Sequence, residues 1–100
     1  MAFVHLMEFS IGDRSTENYD FAREKLADEG IDGLLVHTAG FDDDSGVWRM
    51  LDVWESRDHA DRFMQRMMEM MPLESLPRQD TAAEPPLREA RYELHDFVKN

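Results

Sequence analysis

Apolar and polar positions alternate along AFVHLMEF, residues 2–9. Phe3, Met7 and Phe9 share one parity, while Val4 and Leu6 share the other. Apolar side chains on both faces predict a central strand covered on both sides. The stretch GDRST (12–16) breaks this pattern. Ser15 or Thr16 can cap a helix by accepting a backbone N–H, and Glu17 suits its positive first turn. Tyr19, Ala22 and Leu26, with Phe21 beside them, form the apolar stripe of a helix over 17–29. Gly30 is read as its left-handed cap residue, and Gly33 ends the connection.

A second strand is predicted over LLVHTAGF (34–41) and a third over VWRMLDVWE (47–55), joined by the polar turn DDDSG. That turn predicts an antiparallel hairpin with Phe41 opposite Val47, so that His37 faces Leu51 and Val36 faces Asp52. A one-residue slip would exchange every face. Ser56 caps the next helix. Ala60, Phe63, Met64, Met67, Met68 and Met71 follow it on one helical stripe, and Pro72 ends it. Asp58 and Asp61 suit the positive end of this helix. Residues 72–86 hold all 4 prolines and read as a long polar loop that Leu73 and Leu76 could pin. LREARYELHDFV (87–98) is a last strand. Ala90, Tyr92, Leu94 and Val98 share one of its faces, and its charges suit a sheet edge. The order strand, helix, strand, strand, helix, strand is the split pattern of the ferredoxin-like fold, α+β, with two helices over one face of a four-stranded antiparallel sheet.

If Trp48, Met50 and Trp54 face the helices, then Leu35, Leu51 and Val53 share the outer face. An apolar outer face marks a partner surface. At roughly 1.5–3 kcal/mol for each fully covered residue, several such side chains drive two copies together. A two-fold homodimer is therefore expected.

Composition narrows the partners. The chain has 100 residues, enough for one domain spanning 1–100, with a formal net charge of −11. Its arginines are dispersed, so neither nucleic acid nor an anionic membrane is an expected partner. The absence of cysteine excludes thiolate chemistry and fits a reducing, cytoplasmic compartment. No signal peptide or membrane span is expected from the N-terminal stretch.

GLLVHTAG followed by GVWRMLDVWESRDHADRF resembles the antibiotic-biosynthesis-monooxygenase-like group of the dimeric α+β barrel superfamily. Trp54, Glu55, Ser56 and the later Phe63 carry the likeness at motif level, while the element order carries it over the whole chain. The resemblance implies a dimer of packed sheets and a pocket in each subunit between sheet and helices. Some members of the group oxidise aromatic polyketides without metal or flavin, others break down haem, and many have no known activity. Trp54 maps onto a position such enzymes use as a pocket wall. The haem-degrading members carry an Asn on the first strand and a His on the second helix. This chain has neither, standing Phe63 and Met64 where that His belongs, so haem is not carried over and no cofactor is expected.

Asp52 is the sharpest candidate for chemistry. It sits between Met50 and Trp54 on an apolar face. A buried carboxyl there would have a raised pKa suited to acid–base work. The plainer reading is a partly exposed Asp52 paired with Arg49 or a hydroxyl. His5 and His37 are further candidate proton carriers on strands. His95 also falls on a predicted strand, and His59 on the solvated side of the second helix; for each histidine a structural role is the plainer reading. No metal is expected, since the histidines lack ligand spacing. The thioether-rich run at 64–71 has the spacing of a core stripe rather than a copper site. DDDSG also begins like a calcium loop, but Val53 stands where the bidentate Glu is required. Trp54, Trp48, Met50, Phe63, Met67 and Tyr92 are the expected walls of a pocket for a flat apolar or aromatic molecule, with methionine supplying adaptable surface. The expected function is a homodimeric small-molecule-binding protein whose specific role the sequence does not fix, with cofactor-independent monooxygenation of an aromatic or polyketide-like substrate as one candidate activity. The rival expectation is a dimeric module without catalysis.

Overall fold

The structure is a computed structural model that describes residues 1–27, 30–82 and 84–99. Its elements are β1 (Phe3–Phe9), α1 (Glu17–Leu26), β2 (Leu34–Asp42), β3 (Val47–Trp54), α2 (Arg57–Met70), a 3-10 turn (Leu73–Ser75), a short helix α3 (Gln79–Ala82) and β4 (Arg88–Glu93). The four strands form one antiparallel sheet in the order β2-β3-β1-β4. This is the ferredoxin-like arrangement, with β1 central and the charged β4 at an edge.

Strand alternation sorts the side chains into two faces. Phe3, His5, Met7 and Phe9 of β1 pair with Trp54, Asp52, Met50 and Trp48 of β3. This face meets the helices. Phe3, Trp54 and Ala60 form the fully buried core, with Ile31, Leu34 and Phe63 packed against it. Tyr19 of α1 meets Trp48 edge to face, so both helices cover the same side. Val4, Leu6, Leu51 and Val53 alternate onto the other side, where Tyr92 and Ala90 of β4 pair with Val4 and Leu6.

The β2–β3 register differs from the sequence expectation by one residue. Phe41 pairs with Trp48, Asp42 with Val47, and His37 with Asp52. The turn is tighter than a five-residue loop: Asp42 stays in the strand and its backbone carbonyl accepts Gly46 N–H at 2.7 Å. Its carboxylate also accepts the amides of Asp44 and Ser45. Gly46 adopts φ 69°, which only glycine takes without strain. An irregularity between Leu34 and Val36 then restores the parity at the other end of β2, so Leu34 still joins the core.

Helix α2 follows the sequence reading closely. Ser56 caps it by accepting His59 N–H at 3.2 Å, and it stops before Pro72. The stripe is narrower than expected, however. Ala60 and Met71 are buried, but Met68 is 72% exposed. Thr16 starts α1 without a side-chain cap and instead donates its hydroxyl to Asp20 at 2.7 Å. The predicted end of α1 at 28–29 lies outside the described residues. Gly33, at φ 81°, is the left-handed residue of the following connection, whereas Gly30 is not. Residues 72–86 carry two helical turns rather than an open loop, and Leu73 is exposed instead of pinning them. Strand β4 ends at Glu93, short of the predicted 98, and Val98 is exposed.

Candidate functional site

A cavity of about 370 Å³ lies between the helix-facing side of the sheet and the two helices. Its floor is Met7, Trp48, Met50 and Trp54, brought to one face by alternation on β1 and β3. Tyr19, Ala22 and Leu26 form the α1 wall, and Phe63, Met64, Met67 and Met71 the α2 wall. Leu76, Arg78 and Thr81 cover it from the 72–86 segment. That cover is fastened to α1. Asn18 accepts Arg78 N–H at 2.8 Å and donates to Arg78 C=O at 3.0 Å. Arg78 also bonds Asp13 and Asp80 through its guanidinium, at 2.8 and 2.6 Å.

One polar row crosses this apolar face. Arg91, His5, Asp52 and His37 occupy successive pairing positions on β4, β1, β3 and β2. Asp52 does not pair with Arg49, which points to the outer face and bonds Glu8 at 2.6 Å and Asp42 at 2.7 Å. Instead Asp52 Oδ1 lies 2.5 Å from His37 Nδ1, and His37 Nε2 lies 2.6 Å from the Tyr19 hydroxyl. An ionised Asp52 can only accept, so Nδ1 carries the imidazole proton and Nε2 accepts from Tyr19 O–H. The Tyr19 and His37 rings lie within 9° of parallel, which aligns the chain of bonds.

Burial pushes the Asp52 carboxyl above its ordinary range, while the His37 bond and the nearby His37 and His5 charges pull it back. Burial likewise raises the Tyr19 phenol, opposed by the charge of Arg23. Tyr19 is therefore a neutral hydroxyl near pH 7, able to pass a proton rather than store a charge.

The expected residues separate as follows. Trp48, Met50, Asp52, Trp54, Phe63, Met67 and His37 converge on the cavity. Two do not. Tyr92 lies on the opposite sheet face, paired with Val4 and 48% exposed, because β4 offers the helix side only Glu89, Arg91 and Glu93. His5 is buried beyond the cavity lining and bonds Glu89 at 2.7 Å. His59, expected in solvent, packs its ring over Gly33 and bonds Ser56 Oγ at 2.7 Å. His95 falls beyond the end of β4. Among the described residues no three His, Asp or Glu side chains converge as a metal site needs.

Sequence reasoning missed Tyr19, read as part of a core stripe. Its signal was there: a tyrosine hydroxyl carried inward on a core stripe needs a partner, and His37 was the polar side chain a neighbouring strand could offer. The buried Trp54 Nε1–H finds no partner among the described residues, a loss of about 1–3 kcal/mol.

No family model matches the chain, and no curated protein matches it in sequence. Among solved structures it is similar to a monooxygenase from the gene ActVA-Orf6 of Streptomyces coelicolor, crystallised with the ligand nanaomycin D. The TM-score is 0.55 at 18% identity, covering 99% of this chain and 92% of that one. This chain has the fold of that monooxygenase. The likeness to the antibiotic-biosynthesis-monooxygenase-like group, read from Trp54-Glu55-Ser56, is thus met at the level of fold. No helix among the described residues is long and apolar enough to cross a membrane.

Proposed function

We propose that the cavity binds a flat hydroxylated aromatic molecule and oxidises it with dioxygen, the chain itself supplying the proton transfers. One observation carries this reading: the Tyr19–His37–Asp52 chain of hydrogen bonds runs from the wall of an aromatic- and methionine-lined cavity into the sheet. The shared fold with a monooxygenase supports it.

The chemistry balances with the substrate as the only reductant. The substrate hydroxyl gives its proton to Tyr19 Oη, and Tyr19 passes its own proton to His37 Nε2. The imidazolium is held by Asp52. The substrate anion forms a C–O bond to dioxygen at a ring carbon bearing hydrogen. His37 returns its proton through Tyr19 to the peroxide. The O–O bond then breaks, the C–H electron pair becomes the second bond of a new carbonyl, and the departing hydroxide leaves with the C–H proton as water. The substrate loses four electrons, one oxygen atom enters the quinone and the other enters water. Tyr19, His37 and Asp52 act as a positioned general base, a role worth about 10²–10⁴ in rate.

Two copies pairing through the outer face complete the proposed assembly. Leu6 and Leu51 lie there half-buried beside the half-exposed Tyr92, and 37% of Leu35 is exposed. The activity is tested by oxygen uptake with a panel of polycyclic phenols and anthrones, using labelled dioxygen. One labelled atom is expected in the quinone, and Tyr19→Phe should slow turnover about 100-fold or more while ligand affinity changes little. A panel that neither binds nor consumes oxygen would remove the proposal.

A further inference from the structure

We infer that Arg23 forms an anion-stabilising subsite of the cavity, so that an ionisable hydroxyarene is held there as its phenolate. The inference rests on the proposed aromatic-ligand reading and adds the charge state of the ligand and the residue that sets it.

Arg23 lies one helical turn after Tyr19 on α1, and both residues line the cavity. Its charge reaches the Tyr19 hydroxyl, the point where a substrate proton would leave. Among the described residues Arg23 makes no ion pair or hydrogen bond. That is unexpected in a chain with 22 acidic residues against 11 basic. The other guanidinium of the lining, Arg78, is already occupied by Asp13 and Asp80. Two carboxylates also line the cavity. Asp52, on β3, is tied to His37, and Glu84 reaches it from the 72–86 segment. An entering phenolate would meet repulsion from Glu84 and attraction from Arg23, with Asp52 screened by its histidine. Water at the exposed Arg23 screens part of that attraction, so its effect on the ligand is modest. A hydroxyarene that gives up its proton beside Tyr19 leaves a negative oxygen one turn from an unpaired positive charge, and that pairing favours ionisation.

The test uses 1,2-dihydroxyanthraquinone, a flat hydroxyarene whose absorption band moves when its hydroxyl ionises. Bound to the wild-type chain, the dye should ionise at a midpoint lower than in buffer by ~0.5–1 unit, a three- to tenfold shift in the equilibrium. Arg23→Gln should return the midpoint to the buffer value, Arg23→Lys should keep most of the displacement, and Glu84→Gln should lower the midpoint further. Arg23 is exposed at the cavity mouth, so its variants should keep the wild-type melting temperature. Equal midpoints in wild type and Arg23→Gln overturn this inference and leave the cavity reading standing. A dye that fails to bind, seen as no change in its spectrum or in tryptophan fluorescence, overturns both.

Discussion

At the scale of single residues, two side chains carry most of what the cavity depends on. Trp54 is 2% exposed and packs against Phe63 with ring centroids 5.0 Å apart. Trp54→Ala should cost about 3–5 kcal/mol, because the surrounding core cannot collapse into so large a void. For a chain of this size that is a fall in melting temperature of about 12 °C or more, readable by calorimetry. Asp52 gives a signal with a definite sign. Its folded carboxyl is raised by burial, so its contribution to stability is fully present below its unfolded value of about 4 and is lost as pH rises through the folded value. A carboxylate paired with a cation acts oppositely. Asp42 is held at about 2 by Arg49, so its contribution is present above about pH 4 and is lost as pH falls towards 2. The difference in unfolding free energy between wild type and Asp52→Asn therefore isolates Asp52. It should vary with pH above about 4 and level off once Asp52 is ionised in both states. A difference flat across that range would show that Asp52 is not desolvated as described.

Among the elements, α2 and β1 were legible in the sequence because each buries a single, uninterrupted pattern. The β2–β3 hairpin was not, and the reason is local. DDDSG offers several turn lengths, and only the closure of Gly46 onto Asp42 selects the one that pairs His37 with Asp52. Without that register, Asp52 falls opposite Val36 and the hydrogen-bonded chain Tyr19–His37–Asp52 is not made. The other end of β2 is fixed by a close approach. A Cβ on Gly33 would stand 2.2 Å from the His59 ring, and the residue is at φ 81°. Gly33→Ala should thus destabilise the chain by more than the ~1–2 kcal/mol of a left-handed backbone alone. The His59 Cβ would itself stand 2.7 Å from the added methyl, so Gly33→Ala with His59→Gly, rather than His59→Ala, should recover the steric part only, as a double-mutant cycle in denaturant would show. Full additivity of the two changes would mean that the ring and the glycine do not meet.

For the molecule as a whole, an outer sheet face that leaves Leu6 and Leu51 only half-buried in its centre is unusual for a strongly acidic monomer. Leu51→Lys should convert the proposed dimer to a monomer in sedimentation equilibrium without altering the cavity on the other face. A wild-type chain that sediments as a monomer would end the pairing proposal. What the sequence determined by itself was the order and kind of the four strands and two main helices, the fold, and which face carries Trp48, Met50, Trp54 and the inward α2 methionines, because alternation and helical spacing are properties of neighbouring residues. The tertiary structure alone decided that Tyr19 lines the cavity beside His37, that Tyr92 and His5 do not line it, and that Asp52 meets a histidine rather than Arg49. The Tyr19–His37 and His37–Asp52 contacts join residues 18 and 15 positions apart, through a register and a helix placement that depend on the turn, the bulge and the packing of the whole sheet.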